Sequence, residues 1–195
     1  MNITNSVAQI KNCIDEISSS FHDTSYLFFN ESDLQSYLFS LLLKDFNAEY
    51  ELNTSVWGTD KPKKVNKIIT RRLHSEFLLP DGRVDLAVLD LNAARFAVNS
   101  KGRNPGIRIN KGNHAFIEIK ASQTSRSIIS KSQWKKLIIK DIYKLNKYEN
   151  ISFMLCFDYS NILNENEIEL IRQKANVNVE LHYIKNSYKK NHFSE

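Results

Sequence analysis

Cysteine, proline and glycine are scarce in this sequence of 195 residues, which contains 2 Cys, 3 Pro and 5 Gly. The two cysteines are far apart and form no Cys-x-x-Cys pair, which excludes a disulfide scaffold and a cysteine zinc site. They indicate reduced thiols and therefore a cytoplasmic protein. The scarcity of glycine and proline excludes a collagen-like or low-complexity chain.

Long apolar runs and several common enzyme motifs are also missing. No apolar stretch reaches the roughly 18 residues of a transmembrane helix, so we expect no membrane partner. The N-terminus mixes polar and apolar residues and does not resemble a secretory signal. The absence of a GxxxxGK loop, a GxGxxG loop and a Gly-x-Ser-x-Gly elbow disfavours P-loop enzymes, dinucleotide-binding folds and α/β-hydrolases.

The composition that remains is that of an ordinary globular protein with a small basic excess. Hydrophobic residues make up 42% of the chain and charged residues 25%, and the length favours a single domain over 1–195. Lys+Arg number 27 and Asp+Glu 22, which gives a net charge of +5. This excess permits a polyanionic partner without establishing one.

Hydrophobic periodicity predicts an α/β fold, a mixed sheet flanked by helices. Two N-terminal helices are expected within 3–46, the first over 3–19 and ended by a Ser-rich break, the second over about 31–46. A central core of strands with one helix spans about 47–160, and a helix and a strand over 164–184 complete the sheet. Two stretches inside the core, 58–72 and 101–113, are predicted to be exposed polar loops.

The most informative segment is the predicted strand at 113–121, in which two opposite charges interrupt apolar residues. Because side chains alternate across a strand, Glu118 and Lys120 share one face. Such residues are rarely buried without a partner. Taken alone, the pattern is better explained by an edge strand with a local ion pair, because E-x-K is common.

A second strand adds Asp85, which interrupts the apolar sequence "RVDLAVLD". A carboxylate on such a strand needs a partner or a metal ion. If the two strands are neighbours, Asp85, Glu118 and Lys120 converge on one patch. Two carboxylates and an ammonium would form an oxygen-ligand site for a hard cation such as Mg²⁺, with Mn²⁺ as a substitute, and the lysine would polarise a bound water.

In this order the residues resemble the PD-(D/E)XK nuclease superfamily, which has the restriction-endonuclease-like fold. The matching segments are "GRVDLAVLD", "FIEIKAS" and, on the preceding helix, "NESDLQSYL" with Glu31, within about residues 30–160. The resemblance implies a metal-dependent nuclease, with DNA as the expected substrate and restriction, phage defence or mobile-element biology as the setting. It implies that the metal is held by Asp85, Glu118 and Ile119, the residue between the two charges of E-x-K. It also implies that Lys120 assists the water and that Glu31 supports the metal or its water.

The chain departs from the family pattern in three ways. First, 33 residues separate Asp85 from Glu118, which is long for the family, and the basic loop at 101–112 is interpreted as an insertion. Second, the literal Pro-Asp dipeptide ends at Asp81, which lies in a predicted turn, so Asp85 is the preferred candidate. Third, Gln133 is not followed four residues later by the tyrosine that some relatives carry on the next helix.

Basic segments around this patch are candidates for binding the backbone of a nucleic acid. Such contacts would set position rather than read sequence, and they would make binding dependent on salt. A solvated, lysine-rich helix face would give the same pattern. The candidate contacts are Lys63, Lys64, Lys67, Arg71, Arg72, Arg103, Arg108, Lys111, Gln133 and Lys136.

Two other interpretations stay open at the level of the sequence. The chain could be a catalytically inactive nucleic-acid-binding or protein-interaction module on the same fold, as the insertion and the absent Gln/Tyr pair suggest. It could also be an α/β domain whose strand charges form structural ion pairs. If it is a nuclease with one site, cutting both strands requires a homodimer or two successive events, and a partner protein could supply targeting.

Overall fold

The computed structural model describes residues 3–56, 62–92, 94–98, 106–109, 114–123 and 127–187. Within these, the stretches 3–4, 52–56, 62–68, 94–98 and 106–109 are described by their backbone alone. The helices are α1 (Ile3–Thr24), α2 (Glu31–Phe46), α3 (Lys131–Leu145) and α4 (Glu165–Arg172), with one turn of 3-10 helix at Ser25–Leu27. The strands are β1 (Glu49–Val56), β2 (Pro62–Arg71), β3 (Leu73–Leu79), β4 (Gly82–Val88), β5 (Ala94–Val98), β6 (Gly106–Ile109), β7 (Ala115–Ala121), β8 (Ile151–Asp158) and β9 (Val179–Lys185).

The centre of the molecule is a five-stranded mixed sheet with the order β3-β4-β7-β8-β9. The pairs β3–β4 and β4–β7 are antiparallel, whereas β7–β8 and β8–β9 are parallel. One core joins the sheet to α1 and α2, and a second core joins it to α3 and α4. Along β8, Phe153 and Leu155 belong to the first core and Met154 and Cys156 to the second. Strand β8 is therefore buried on both faces, and the prediction of a mixed sheet flanked by helices is confirmed.

A second sheet of four strands, with the order β2-β1-β5-β6, was not predicted. Residues 62–71, expected in an exposed loop, pair antiparallel with β1 as β2. Residues 106–109, also expected in a loop, pair antiparallel with β5 as β6. The loop predictions are wrong for these residues because strand pairing supplies backbone hydrogen bonds that their polar composition does not indicate.

Helix α1 continues through the Ser-rich segment where its end was predicted at residue 19. The hydroxyl of Ser18 donates to the carbonyl of Ile14 at 2.6 Å, and that of Thr24 donates to the carbonyl of Ser20 at 2.8 Å. These hydroxyls bond back to the preceding turn and do not compete with the helix for its N–H groups. Phe21 is fully buried and extends the apolar stripe, so packing holds the last turns.

Candidate active site

The candidate site lies where strands β4 and β7 separate. Their antiparallel pairing ends at Leu86 and Ile117, so Asp85 and Glu118 are the next residues on either side of the opening. Oδ2 of Asp85 accepts a hydrogen bond from the N–H of Ile119 at 2.6 Å. The side chain thus satisfies a backbone donor that the strand pairing leaves free at this point.

Lys120 reaches into this opening with only 14% of its side chain exposed. Its Nζ atom lies 2.8 Å from the Ile119 carbonyl oxygen and 3.2 Å from one carboxylate oxygen each of Glu118 and Glu31. The distance from Nζ to Oδ2 of Asp85 is 3.9 Å. The structure therefore brings together all four residues that the sequence nominated as catalytic.

Glu31 reaches the opening because it is the first residue of α2, which begins as predicted. The side chain of Asn30 caps this helix by accepting hydrogen bonds from the N–H groups of Ser32 and Asp33, at 2.8 and 3.2 Å. The cap fixes where the first turn starts, and Glu31 projects from that turn toward Lys120. The cap is thus part of what positions Glu31.

Helix α3 contributes two residues that the sequence analysis did not single out, Asp141 and Lys144. Oδ2 of Asp141 lies 3.6 Å from Nζ of Lys120, and its Oδ1 lies 3.5 Å from Nζ of Lys144. Lys144 donates to Oε2 of Glu118 and to the carbonyl of Arg83, both at 2.7 Å. The available signal was that Asp141 interrupts the buried apolar stripe of this helix.

Helix α2 also contributes Gln35, which the sequence analysis missed. Its side-chain amide donates to the carbonyl of Asp85 and to Oε1 of Glu76, both at 3.0 Å. Glu76 has a φ of 50°, and the residue pairing between β3 and β4 skips the positions of Glu76 and Asp85. Gln35 thus donates a hydrogen bond to the carbonyl of Asp85 at the position that the strand pairing skips. The signal available in the sequence was the spacing of four residues between Glu31 and Gln35.

The site carries more negative than positive charge. Four carboxylates, from Glu31, Asp85, Glu118 and Asp141, lie within 4 Å of the Lys120 ammonium. With Lys144 as the second cation, the ionised site has an excess of two negative charges. Burial alone would lower the pKa of Lys120, but the carboxylates outweigh burial and raise that pKa, so Lys120 is an ammonium.

Burial raises the pKa of two of the carboxyl groups, whereas it acts to lower that of Lys120. It raises the pKa of Glu118 to about 6, together with the negative charges of Asp85 and Asp141, while Lys120 and Lys144 counteract the rise. Burial also raises the pKa of Asp85, although Lys120 and the Ile119 N–H oppose it. Both carboxyls therefore ionise at a higher pH than an exposed side chain would.

The oxygen atoms around Lys120 are of the kind that binds a hard cation, but in this structure they surround the ammonium group of Lys120. Within the described ranges, no group of three or more His, Cys, Asp or Glu side chains is arranged to hold a metal ion. The carboxylates of Asp85 and Glu118 and the carbonyl of Ile119 are nevertheless the kind of oxygen ligand that Mg²⁺ prefers. A metal ion at this point would have to take over some of the contacts that Lys120 makes.

The predicted nucleic-acid contacts fall into several groups in the structure. Arg71 is exposed beside Glu49, 3.2 Å away, and Gln133 and Lys136 are exposed near the start of α3. For residues 62–68 of β2 and for β6 the backbone alone is described, and these stretches include Lys63, Lys64, Lys67 and Arg108. Arg103 and Lys111 lie outside the described residues.

Arg72 is buried, in contrast to the surface position that a nucleic-acid contact requires. Its Nε donates to the carbonyl of Leu89 and its Nη2 to the hydroxyl of Ser6, both at 3.0 Å. Its guanidinium also lies 5.3 Å from the centre of the Phe46 ring. These contacts tie α1 and α2 to the sheet, so Arg72 serves the fold and is removed from the set of candidate contacts.

Comparisons with known proteins found no match: no protein-family model fits this chain, and no curated protein and no solved structure resembles it significantly. None of the helices in the part of the chain that the structure describes has the length and apolar character needed to cross a membrane. The interpretation of the site therefore depends on its geometry and its chemistry.

Proposed function

We propose that this protein is a metal-dependent nuclease that hydrolyses phosphodiester bonds, with DNA as the expected substrate. The observation that supports this function is the convergence of Glu31, Asp85 and Glu118 on Lys120. They come from three separate elements, α2, β4 and β7. Enclosing so many carboxylates costs free energy unless cations compensate them, and functional sites are where such groups with displaced pKa values concentrate.

The excess charge of the site supports a divalent cation as the cofactor, with Mg²⁺ first and Mn²⁺ as a substitute. The excess of two negative charges equals the charge of one such ion. Asp85, Glu118 and the carbonyl of Ile119 would hold it. When bound, Mg²⁺ would offset the charge of the phosphate group and make the attacking water more acidic.

The chain's own groups would orient the reactants. The reaction is attack of water on phosphorus, with cleavage of the bond to the ester oxygen. Lys120, held as an ammonium, would donate a hydrogen bond to the water or to a phosphate oxygen and stabilise the charge that develops there. Glu31 would keep Lys120 beside the opening through their contact at 3.2 Å. Gln35 on α2 would hold Asp85, and Asp141 on α3 would hold Lys120.

Cleavage of supercoiled plasmid and of single-stranded DNA tests this function. We expect cleavage in Mg²⁺ and in Mn²⁺ and none in EDTA. Asp85→Asn should lower the rate by about 10²-fold or more, because it removes the charge of a proposed ligand while keeping its shape. Asp81→Asn is the matched control, since Asp81 lies in the exposed turn of the same hairpin and pairs with Lys147 at 3.3 Å. Cleavage in EDTA, or a folded Asp85→Asn variant with the wild-type rate, would contradict the proposal.

The arrangement around Lys120 also favours a second candidate, a nucleic-acid-binding module without turnover. The carboxylates already have a cationic partner in Lys120, and no metal-binding group is formed among the described residues. Such a module would bind DNA in a salt-dependent way and would cleave it in neither Mg²⁺ nor Mn²⁺. The same plasmid assay, combined with a binding measurement, separates the two functions.

A further inference from the structure

Asp141 and Lys144 of α3 join the two charged residues of β7 in a closed ring of alternating charges. Nζ of Lys144 lies 2.7 Å from Oε2 of Glu118 and 3.5 Å from Oδ1 of Asp141. Nζ of Lys120 lies 3.2 Å from Oε1 of Glu118 and 3.6 Å from Oδ2 of Asp141. Each carboxylate therefore contacts both lysines, and it uses a different oxygen atom for each.

The ring is shielded from water, which makes its contacts stronger than those of a surface ion pair. The exposed fractions of the four side chains are 5% for Glu118, 8% for Asp141, 14% for Lys120 and 15% for Lys144. At such positions a charged hydrogen bond is geometrically strict and its loss is costly. The ring is therefore able to hold the Glu118 carboxylate in one orientation.

Lys144 is also hydrogen-bonded to the backbone of β4. Its ammonium also donates to the backbone carbonyl of Arg83 at 2.7 Å, and Arg83 lies on β4 two residues before Asp85. A main-chain oxygen within a paired strand does not rotate as a side chain does. Lys144 thus fixes Oε2 of Glu118 relative to the strand that carries Asp85, while Oε1 stays on the side of Lys120.

We propose that Lys144, supported by Asp141, is a positioning residue that holds the Glu118 carboxylate in the orientation required for binding a divalent cation. This inference rests on the proposed function, in which Glu118 is a ligand of that cation. Without Lys144, one oxygen of Glu118 loses its donor, and the carboxylate has to be ordered at the moment the ion binds. Partners that orient a ligand in this way change metal affinity by about 10–100-fold when they are removed.

A purely electrostatic role of Lys144 predicts the opposite change in metal affinity, so an experiment can distinguish the two roles. Lys144 places a positive charge 2.7 Å from Glu118, so a purely electrostatic role would weaken the attraction for a cation. Removal of Lys144 would then tighten metal binding. A positioning role requires that removal weakens metal binding, and a role in stability alone changes the melting temperature without changing the affinity of the folded protein.

The experiment is a calorimetric titration of the full, metal-free chain with Mn²⁺ in the absence of DNA. We expect the Kd for Mn²⁺ to rise about 10-fold or more in Lys144→Met. Lys140→Met is the matched control, because Lys140 lies one turn earlier on the same helix, is exposed and undergoes the same change of charge. Its Kd should equal that of the wild type. Lys144→Arg retains a cationic donor and should restore most of the affinity.

The outcomes separate this inference from the proposed function. An unchanged or lower Kd in a folded Lys144→Met variant overturns the positioning role. If that variant does not fold by circular dichroism, Lys144→Gln replaces it, and the same weakening is required of it. A wild type that binds Mn²⁺ but cleaves no DNA overturns the nuclease proposal alone. A wild type that binds no Mn²⁺ overturns both.

Discussion

At the scale of single residues, the burial of Glu118 makes the stability of the protein depend on pH. Its pKa is about 6 in the folded protein, compared with an ordinary value of 4.5. The folded state therefore keeps a proton at Glu118 that the unfolded chain has released, and the free energy of unfolding falls as the pH rises from about 4.5 to 6. At about 1.36 kcal/mol per pKa unit, this side chain accounts for a loss of roughly 2 kcal/mol.

Glu118→Gln should remove this dependence. Relative to the variant, we expect the wild type to lose roughly 2 kcal/mol of unfolding free energy between pH 4.5 and 6.5, as measured by urea unfolding at a series of pH values. Glu169→Gln is the control, because Glu169 is an exposed carboxylate paired with Arg172, and it should follow the wild-type profile. Parallel profiles of the wild type and Glu118→Gln would show that Glu118 does not take up this proton.

The residue scale also explains which parts of the site the sequence could predict. Asp85, Glu118 and Lys120 stand out because each interrupts an apolar strand, where a charge needs a reason. Lys144 does not stand out, because it is one of several lysines on α3 and its partner Glu118 is 26 residues away. Arg72 is misread for a related reason, since its buried partner Ser6 lies 66 residues away in the chain.

At the scale of elements, local signals were sufficient for helix α2 and insufficient for the end of α1 and for the second sheet. Helix α2 begins and ends where the sequence predicted, because an N-cap, an acidic first turn and an apolar stripe all lie within it. Strand β1 instead depends on β5, which pairs with it in parallel from about 40 residues away. Strands β2 and β6 instead pair with their neighbours in the chain, β1 and β5, and they were interpreted as loops because their polar, basic composition gives a weak strand signal.

The cap of α2 carries a prediction at this scale, because α2 delivers Glu31 to the site. Asn30→Ala removes the acceptor for two N–H groups and should lower the free energy of unfolding by about 1 kcal/mol. It should also slow plasmid cleavage, since Glu31 lies in the first turn. Asn164→Ala removes the corresponding cap of α4, where the side chain accepts from the N–H of Glu167 at 2.9 Å. That variant should lose similar stability and cleave normally, and an equal loss of cleavage in both would refute a specific role for the α2 cap.

At the scale of the whole molecule, the site depends on an opening in the sheet that both helical layers can reach. Strands β4 and β7 separate after Leu86 and Ile117, and α2 then contributes Glu31 from one face while α3 contributes Lys144 from the other. The order of the strands and helices of the five-stranded sheet could be predicted from the sequence, as could the residues that β4 and β7 place at the opening. The contribution of α3 could not, because it depends on how that helix packs across the sheet.

The arrangement of charge around the whole molecule leads to a prediction about DNA binding. Four lysines at the ends of α3 or beside it are occupied: Lys131 and Lys135 pair with Glu167, Lys144 with Glu118, and Lys147 with Asp81. Lys136 is exposed and has no carboxylate partner within the described residues. Its charge is therefore available to a phosphate group, as is that of Lys140, which is also exposed on this helix.

Lys136→Ala should weaken DNA binding by a similar factor for all sequences and reduce the slope of log Kd against log salt concentration by about 1. The measurement is fluorescence anisotropy in EDTA, which prevents cleavage, over roughly 50 to 200 mM salt. Lys147→Ala is the matched control, since its charge is already balanced by Asp81 at 3.3 Å, and its slope should stay at the wild-type value. Equal slopes for all three proteins would mean that α3 does not face the nucleic acid, and the phosphate contacts would then have to come from other basic segments of the chain.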